Sequence, residues 1–164
     1  MKAAILMGSD SDLPVLESGI KKLRQFGVEV TAHAVSAHRT PEKAAEFAKN
    51  AENDGIEVII AAAGMSAHLA GVVAASTVIP VIGVPVKSGA LKGLDALLST
   101  VMMPPGIPVA TVGIDAGDNA ALLAVQILSV KYPELREKLR LYRQTMREGV
   151  MQKDARLQEK LAQL

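Results

Sequence analysis

The segment Ser36–Pro41 contains three side chains that could bind and act on an anion: Ser36, His38 and Arg39. A β-branched run that ends at Val35 precedes it, and a helix-like stretch, 42–53, follows it. Its last two residues, a threonine and a proline, suit the N-cap and first position of that helix. Because ligands of open α/β sheets bind beyond the carboxyl ends of strands, where helix amides favour anions, the loop predicts an anion site. The alternative is an ordinary turn with a solvated arginine and a packed histidine.

A second polar loop, Gly8-Ser9-Asp10-Ser11-Asp12, follows the first apolar run of the chain. Hydroxyls and helix N–H groups can hold a phosphate, which makes Ser9 and Ser11 candidates for that role. A carboxylate such as Asp12 is better suited to accept hydrogen bonds from ribose hydroxyls. The loop matches neither the dinucleotide pattern Gly-x-Gly-x-x-Gly nor a P-loop. The alternative is that Ser11 or Asp12 only caps the following helix.

His68 lies in the loop after the third apolar run, which ends Ala61-Ala62-Ala63-Gly64. Because this loop and that of His38 both follow strands, we expect the two histidines at the same edge of the sheet. The alternative is a packed, hydrogen-bonded His68, and we interpret His33, inside a strand, as structural. Two histidines without a clear carboxylate partner fall short of a usual catalytic zinc set. The Gly-x-Ser-x-Gly elbow of hydrolases is missing, and the uncharged strand end suits a flat heterocycle or a small apolar molecule.

The elements that must position these loops alternate along the chain. Apolar segments predict five strands, at 2–7, 28–35, 56–63, 79–86 and 108–114. Each is followed by a predicted helix, the first ending at 26–27 and the next four spanning 42–53, 70–77, 94–102 and 119–130. This alternation favours βαβ units, right-handed crossovers and a parallel sheet. The predicted fold is a flavodoxin-like or Rossmann-like three-layer sandwich of class α/β.

The C-terminal region differs in character, since 134–164 predicts a long charged helix with an apolar stripe. We expect 1–132 to form one flavodoxin-like domain and 133–164 to be a helical extension of it. A helix of this length outruns a small domain, so we expect it to pack on a neighbouring subunit. The alternative for its distal half is a solvated helix held only by its first turns.

The composition excludes several classes of protein. Hydrophobic residues make up 49% of the 164 residues but aromatic residues only 2%, and the net charge is +1. This argues against partners such as nucleic acid or an anionic membrane. No cysteine is present, which excludes disulfides and thiol nucleophiles. The uncharged span Val58–Val86 is interrupted by glycines and prolines, so it predicts buried strands and a helix rather than a membrane span. We expect a cytoplasmic protein.

Several short motifs, in order from about Ala4 to Leu128, resemble the 5-(carboxyamino)imidazole ribonucleotide mutase family, the class I family of the phosphoribosylaminoimidazole carboxylase catalytic subunit. They are Gly-Ser-Asp-Ser-Asp, Ser-Ala-His-Arg-Thr-Pro, Ala-His-Leu, Pro-Val-Ile-Gly-Val-Pro-Val and Met-Pro-Pro-Gly-Ile-Pro-Val-Ala-Thr-Val. The resemblance implies a flavodoxin-like fold, a homo-octamer with active sites at subunit contacts, and no metal or organic cofactor. It also implies a reaction of purine biosynthesis, in which a carboxylate moves from the exocyclic nitrogen to ring carbon 4 of an aminoimidazole ribonucleotide.

Carried over to this sequence, the resemblance makes His38 the general acid/base, since an imidazole can give and take a proton near neutral pH. The implied substrate-binding positions are Ser9, Ser36 and Arg39 for the phosphate with Ser11 nearby, Asp12 for the ribose hydroxyls, and Gly64 and His68 beside the base and the migrating carboxylate. Small apolar walls would exclude water and retain carbon dioxide between the two half-reactions.

The sequence departs from the family at four positions that concern the shape of the pocket: Met65, Ser66, Ala70 and Met102. One alternative function is a direct aminoimidazole ribonucleotide carboxylase that takes carbon dioxide itself. That family typically has lysine where Arg39 stands and lacks the Ala-His-Leu motif. The other alternative is a non-catalytic flavodoxin-like module that binds a mononucleotide, although few aromatic residues are present to stack a flavin.

Overall fold

The computed structural model describes all 164 residues, as five strands and six helices. The strands are β1 (Lys2–Met7), β2 (Glu29–Ala34), β3 (Val58–Gly64), β4 (Val81–Val86) and β5 (Ala110–Thr111). The helices are α1 (Leu13–Gln25), α2 (Pro41–Asn50), α3 (Leu69–Ala74), α4 (Leu94–Val101), α5 (Gly117–Leu128) and α6 (Glu134–Leu161). A short 3-10 turn, Asp10–Asp12, leads directly into α1.

The strands form one parallel sheet in the order β2-β1-β3-β4-β5. This is the flavodoxin-like order, in which the direction of winding reverses between β1 and β3. The chain segments that follow these two strands lead to helices on opposite faces of the sheet, α1 and α3, and leave a crevice between them. The flavodoxin-like prediction is thus confirmed, and the expected location of the site becomes the edge beyond β1, β2 and β3.

Two apolar layers cover the sheet. Side chains of α1, α5 and the start of α6 pack with alternate residues of the central strands in one cluster, among them Ile5, Ile60, Leu16 and Val125. The other face of the same strands packs against α2 and α3 in the second cluster, which includes Leu6, Ile59, Ala48 and Val73. Because β1, β3 and β4 are buried on both faces, they are continuous apolar runs rather than alternating ones.

Helices α1 and α5 approach each other closely through Gly19 and Gly117. A Cβ atom on Gly117 would lie 2.1 Å from the backbone oxygen of Val15, and one on Gly19 would lie 2.6 Å from the backbone oxygen of Gly117. Neither position has room for a side chain, so the two glycines set the distance between the helices. Because α1 begins directly after Asp12, this contact also fixes where the site's first loop ends.

The helices and strands differ from the predicted ones mainly at their ends. The largest difference is in β5, predicted at 108–114 but regular only over Ala110–Thr111. The segment still follows β4, since the amides of Val112 and Asp115 donate to carbonyls of that strand. It lies at the sheet edge and begins at Pro108, which has no N–H to donate. Helix α2 ends at Asn50, three residues earlier than predicted, and turns follow.

Only the first turns of α6 are buried, through Leu135 and Leu139. Tyr142 then packs edge-on against Phe26, with ring centroids 6.0 Å apart. The distal apolar residues of α6 are exposed, namely Met146, Val150, Met151, Leu157 and Leu161. None of the helices combines the length and apolar character that crossing a membrane requires.

Candidate active site at the carboxyl ends of β1, β2 and β3

A cavity of about 530 Å³ opens at the crevice between the loops that follow β1, β2 and β3. All eight residues that the sequence predicted for the site line it: Ser9, Ser11, Asp12, Ser36, His38, Arg39, Gly64 and His68. They come together because strands in a parallel sheet direct their carboxyl ends to one edge. Their individual roles remain predictions.

The loop after β1 is folded on itself by its own side chains. The Ser9 amide donates to Asp12 Oδ2 over 3.1 Å, and the Ser11 amide donates to Ser9 Oγ over 3.3 Å. The hydroxyls of Ser9 and Ser11 also bond each other at 2.9 Å. Ser9 and Asp12 thus form a reciprocal capping box on the short 3-10 turn. Asp12 makes no capping bond to α1, so its carboxylate organises the loop rather than the helix.

Asp12 is the one carboxylate of the cavity lining and is 8% exposed. Burial raises its pKa above the ordinary value, and the nearby charge of Asp10 raises it further. The hydrogen bond from the Ser9 amide acts in the opposite direction and does not cancel the increase in the pKa. The charged form of a carboxylate that is shielded from water is stabilised by a ligand that donates hydrogen bonds to it, such as a vicinal diol.

In the loop after β2, Ser36 and Arg39 face each other. Ser36 Oγ accepts hydrogen bonds from the Arg39 amide at 3.2 Å and from its Nε at 3.4 Å. The guanidinium also reaches the carbonyl of Gly8 at 3.5 Å, which connects this loop to the one after β1. The guanidinium takes part in none of the chain's ion pairs, so no carboxylate lies within 4.0 Å of its nitrogens. Its charge is therefore available to an anion.

Thr40 occupies the predicted N-cap position of α2, and Pro41 is the first residue of the helix. The Thr40 hydroxyl, however, makes no capping bond to the helix. Instead it accepts from the Ser36 amide and donates to the Ser36 carbonyl, both at 3.0 Å. This pair of bonds closes the loop at its base and holds Ser36 in place. The competing local contact, four residues back along the chain, is preferred over the cap.

His38 and His68 are in direct contact, which the sequence did not predict. His38 Nε2 lies 2.8 Å from His68 Nδ1, and the rings meet edge to face with centroids 4.9 Å apart. Both residues are exposed to the cavity. A hydrogen bond at this distance requires a hydrogen on one of the facing nitrogens and none on the other. The tautomer of one ring therefore depends on the tautomer of the other.

Sequence reasoning missed Ser88, which lines the cavity from the end of β4. Met65 and Ser66 of the loop after β3, which the sequence analysis named for the shape of the pocket, also line the cavity. Ser88 Oγ accepts from the Met65 amide at 3.0 Å. The rule that found the other loops, polar residues just after a strand, would also have selected Ser88.

Two further expectations from the sequence concern His33 and the binding of a metal ion. His33 lies on edge strand β2, outside the cavity lining, with its ring centroid 5.4 Å from that of Phe47. No group of three or more His, Asp or Glu side chains is arranged to hold a metal ion.

Comparison with known proteins gives the family. A model of the AIR carboxylase family matches 2–149. The N5-carboxyaminoimidazole ribonucleotide mutase of Pyrococcus abyssi is 64% identical over 146 residues, 89% of this chain and 84% of that protein. The mutase of Thermotoga maritima is 52% identical over 158 residues, 96% of this chain and 92% of that protein. A crystal structure of Treponema denticola PurE superposes with a TM-score of 0.86 at 32% identity and covers 95% of this chain and 98% of that one. The chain belongs to the AIR carboxylase family.

Proposed function

We propose that this protein is an isomerase of purine biosynthesis that converts 5-(carboxyamino)imidazole ribonucleotide to 4-carboxy-5-aminoimidazole ribonucleotide. The relatives from Pyrococcus abyssi and Thermotoga maritima carry the name of that mutase. The observation that carries the proposal is the convergence, in one cavity, of an imidazole pair with an unpaired guanidinium and a buried carboxylate. The first suits proton transfer, and the other two suit a sugar phosphate.

The cavity supports a defined orientation of the substrate. The Arg39 guanidinium and the hydroxyls of Ser9, Ser11 and Ser36 surround one end, where we assign the phosphate. We assign Asp12, which lines the same cavity, to accept hydrogen bonds from the ribose hydroxyls. Gly64 and His68 then line the space for the imidazole base and its carboxylate.

His38 is assigned as the general acid/base. In the first half-reaction the bond between the exocyclic nitrogen and the carboxylate breaks, carbon dioxide is released, and the nitrogen receives a proton from the imidazole. In the second, ring carbon 4 attacks carbon dioxide and then returns its proton to the imidazole, so no net proton is consumed. A positioned general acid/base contributes roughly 10²–10⁴-fold in rate. His68 accepts or donates the hydrogen shared with His38 and thereby sets which His38 nitrogen carries the proton.

The test is a spectrophotometric assay of the wild type and His38→Asn with the carboxyamino substrate, with and without bicarbonate. We expect the wild type to turn over without bicarbonate, and we expect His38→Asn to bind nucleotide and fold normally but lose turnover by at least 10²-fold. An active His38→Asn protein would refute the assigned role. A wild type that needs bicarbonate would make the chain a direct carboxylase.

The direct carboxylase is not favoured, because its family typically has lysine at the position of Arg39. The mononucleotide-binding module would be supported by a purified protein that retains flavin absorbance. Only the small ribonucleotide is assigned as a partner outside the assembly.

We further propose a homo-octamer in the cytoplasm, with α6 as an extension of domain 1–132 that packs on a neighbouring subunit. Support comes from apolar residues left exposed on α4 and its flanks, namely Leu91, Leu94, Leu98, Val101 and Met102. The exposed distal half of α6 adds to this apolar surface. A single chain rarely leaves so much apolar surface in contact with water. Sedimentation should give a mass near eight times 17.2 kDa, and a monomer would contradict the proposal.

A further inference from the structure

Ser88 lines the cavity from the end of β4, a strand that lies on the opposite side of β3 from β1 and β2. It is half-buried, and its Oγ accepts a hydrogen bond from the Met65 amide at 3.0 Å. Its own hydroxyl hydrogen has only a long contact, 3.5 Å, to the carbonyl of Val86. The strong interaction of Ser88 is therefore with the backbone of the loop that leads to His68.

Met65 adopts a backbone conformation that needs a restraint. Its φ angle is +55°, in the left-handed region that residues with side chains rarely occupy. Its side chain is 62% exposed, so packing of that side chain does not hold the conformation. The hydrogen bond to Ser88 Oγ lies directly at the strained residue. We expect this bond to keep the loop in the observed form.

Gly64, the residue before Met65, packs tightly on the same serine. A Cβ atom at Gly64 would lie 2.4 Å from Ser88 Oγ and 3.1 Å from Ser88 Cβ. Ser88 therefore touches the loop at two consecutive residues, once by hydrogen bonding and once by contact. The residue before the serine, Lys87, is held by the loop after β5, since its amide donates to Asp115 Oδ1 over 2.7 Å.

The loop transmits this position to the histidine pair through two short turns. The Ala67 amide donates to the Met65 carbonyl at 2.9 Å, and the His68 amide donates to the Ser66 carbonyl at 2.8 Å. His68 then meets His38 at 2.8 Å. A change in the backbone at Met65 therefore moves His68 relative to His38.

We infer that Ser88 is a positioning residue for the proposed carboxylate transfer: by holding Met65 and Gly64 it sets the contact between His68 and His38. The inference rests on the proposed function for its kinetic consequence. Misplacement of a catalytic group by about 1 Å can lower a rate by about 10²-fold. Because the loops after β1 and β2 hold the sugar phosphate, loss of Ser88 should lower kcat and leave KM nearly unchanged.

The experiment compares Ser88→Ala and Ser88→Thr with the wild type in steady-state kinetics and by crystal structure. We expect Ser88→Ala to lose roughly 10- to 100-fold in kcat, with KM within about twofold. Its structure should show Met65 outside the left-handed region or His38 and His68 beyond hydrogen-bonding distance. Ser88→Thr keeps the hydroxyl and should stay within about threefold of the wild-type kcat. The matched control is Ser76→Ala, which removes a half-buried hydroxyl that bonds only a helix carbonyl.

Full kcat in Ser88→Ala would overturn the inference, as would an equal loss in Ser76→Ala. A loss of kcat with Met65 and the histidine pair unmoved would also overturn it, since the serine would then act on the substrate directly. If Ser88→Ala does not fold, Ser88→Cys substitutes a weak acceptor of similar size, and an undiminished kcat there refutes the inference. If the wild type lacks mutase activity, the proposed function fails, and the crystal structures of the variants still decide the role of Ser88.

Discussion

Substitution of Gly117 by alanine should weaken the fold and the site together. The added Cβ atom would lie 2.1 Å from the backbone oxygen of Val15 and 3.3 Å from the Cα atom of Leu16. Ordinary contact begins at 3.4 Å, and backbone atoms cannot turn aside as a flexible side chain can. Helices α1 and α5 would therefore have to move apart by about 1 Å at this point.

The expected loss follows from what the two helices bury. Leu16 and Leu23 of α1 pack in the same cluster as Ala121 and Val125 of α5. Overpacking of such a core typically costs 1–3 kcal/mol, and a clash with backbone lies at the upper end, about 3 kcal/mol. For a domain of this size that corresponds to a decrease in Tm of roughly 6–12 °C. Movement of α1 also displaces Asp12, so nucleotide affinity should fall.

Thermal unfolding and nucleotide titration of Gly117→Ala measure both effects. The matched control is Gly149→Ala in α6, where a Cβ atom would have nothing within 4 Å. There the change should leave Tm unchanged or raise it, because alanine favours helix over glycine by about 1 kcal/mol. A Gly117→Ala protein as stable as the wild type would refute the reasoning. So would an equal decrease in Tm for Gly149→Ala.

Three further predictions concern single side chains. Because burial raises the pKa of Asp12, Asp12→Asn should stabilise the ligand-free fold at neutral pH, which denaturant unfolding measures. The same substitution should weaken nucleotide binding about 10- to 100-fold, which a binding titration measures. Met65→Gly relieves a left-handed backbone and should raise the free energy of unfolding by about 0.5–1 kcal/mol. Burial raises the pKa of Glu57, but hydrogen bonds from Lys131 and Tyr132 outweigh this effect and leave the pKa lowered. Glu57→Gln should therefore lower the free energy of unfolding by about 1 kcal/mol at pH 7, as measured by denaturant unfolding.

The pH dependence gives each carboxylate prediction its own check. The raised pKa of Asp12 means that its charge opposes folding as pH rises through that pKa, so the advantage of Asp12→Asn should vanish in acid. The lowered pKa of Glu57 means that its contribution is complete above the ordinary value of 4.5 and is lost as pH falls through the lowered one. If Glu57→Gln still unfolds with a lower free energy than the wild type in acid, the prediction for Glu57 is wrong. If Met65→Gly is less stable than the wild type, the backbone of Met65 is not strained in the way that we infer from its positive φ angle.

Much of the fold could be predicted because local patterns are strong here. The uncharged run from Val58 to Val86 forms β3, α3 and β4, as predicted, because strands of a parallel sheet are buried on both faces and the glycines and prolines mark where each element ends. Strand β5 was predicted too long. It is an edge strand that pairs with β4 at only two positions, and the apolar pattern of 108–114 does not show where this pairing stops. The N-cap position of Thr40 was predicted correctly, but its hydrogen bonds to Ser36 were not, because such local bonds compete with the capping bond.

The sequence by itself determined which residues would meet: polar groups placed directly after parallel strands must gather at one edge, whatever the packing details. On that ground His38, His68 and Arg39 were expected at one edge of the sheet, and the resemblance to the mutase family added Ser9 and Asp12 to the same site. Only the tertiary structure decided how they meet. The 2.8 Å contact of His38 with His68 and the bond from Met65 to Ser88 join residues 30 and 23 positions apart. Their distances depend on how closely layers pack, as at Gly117, and spacing along the chain does not encode that.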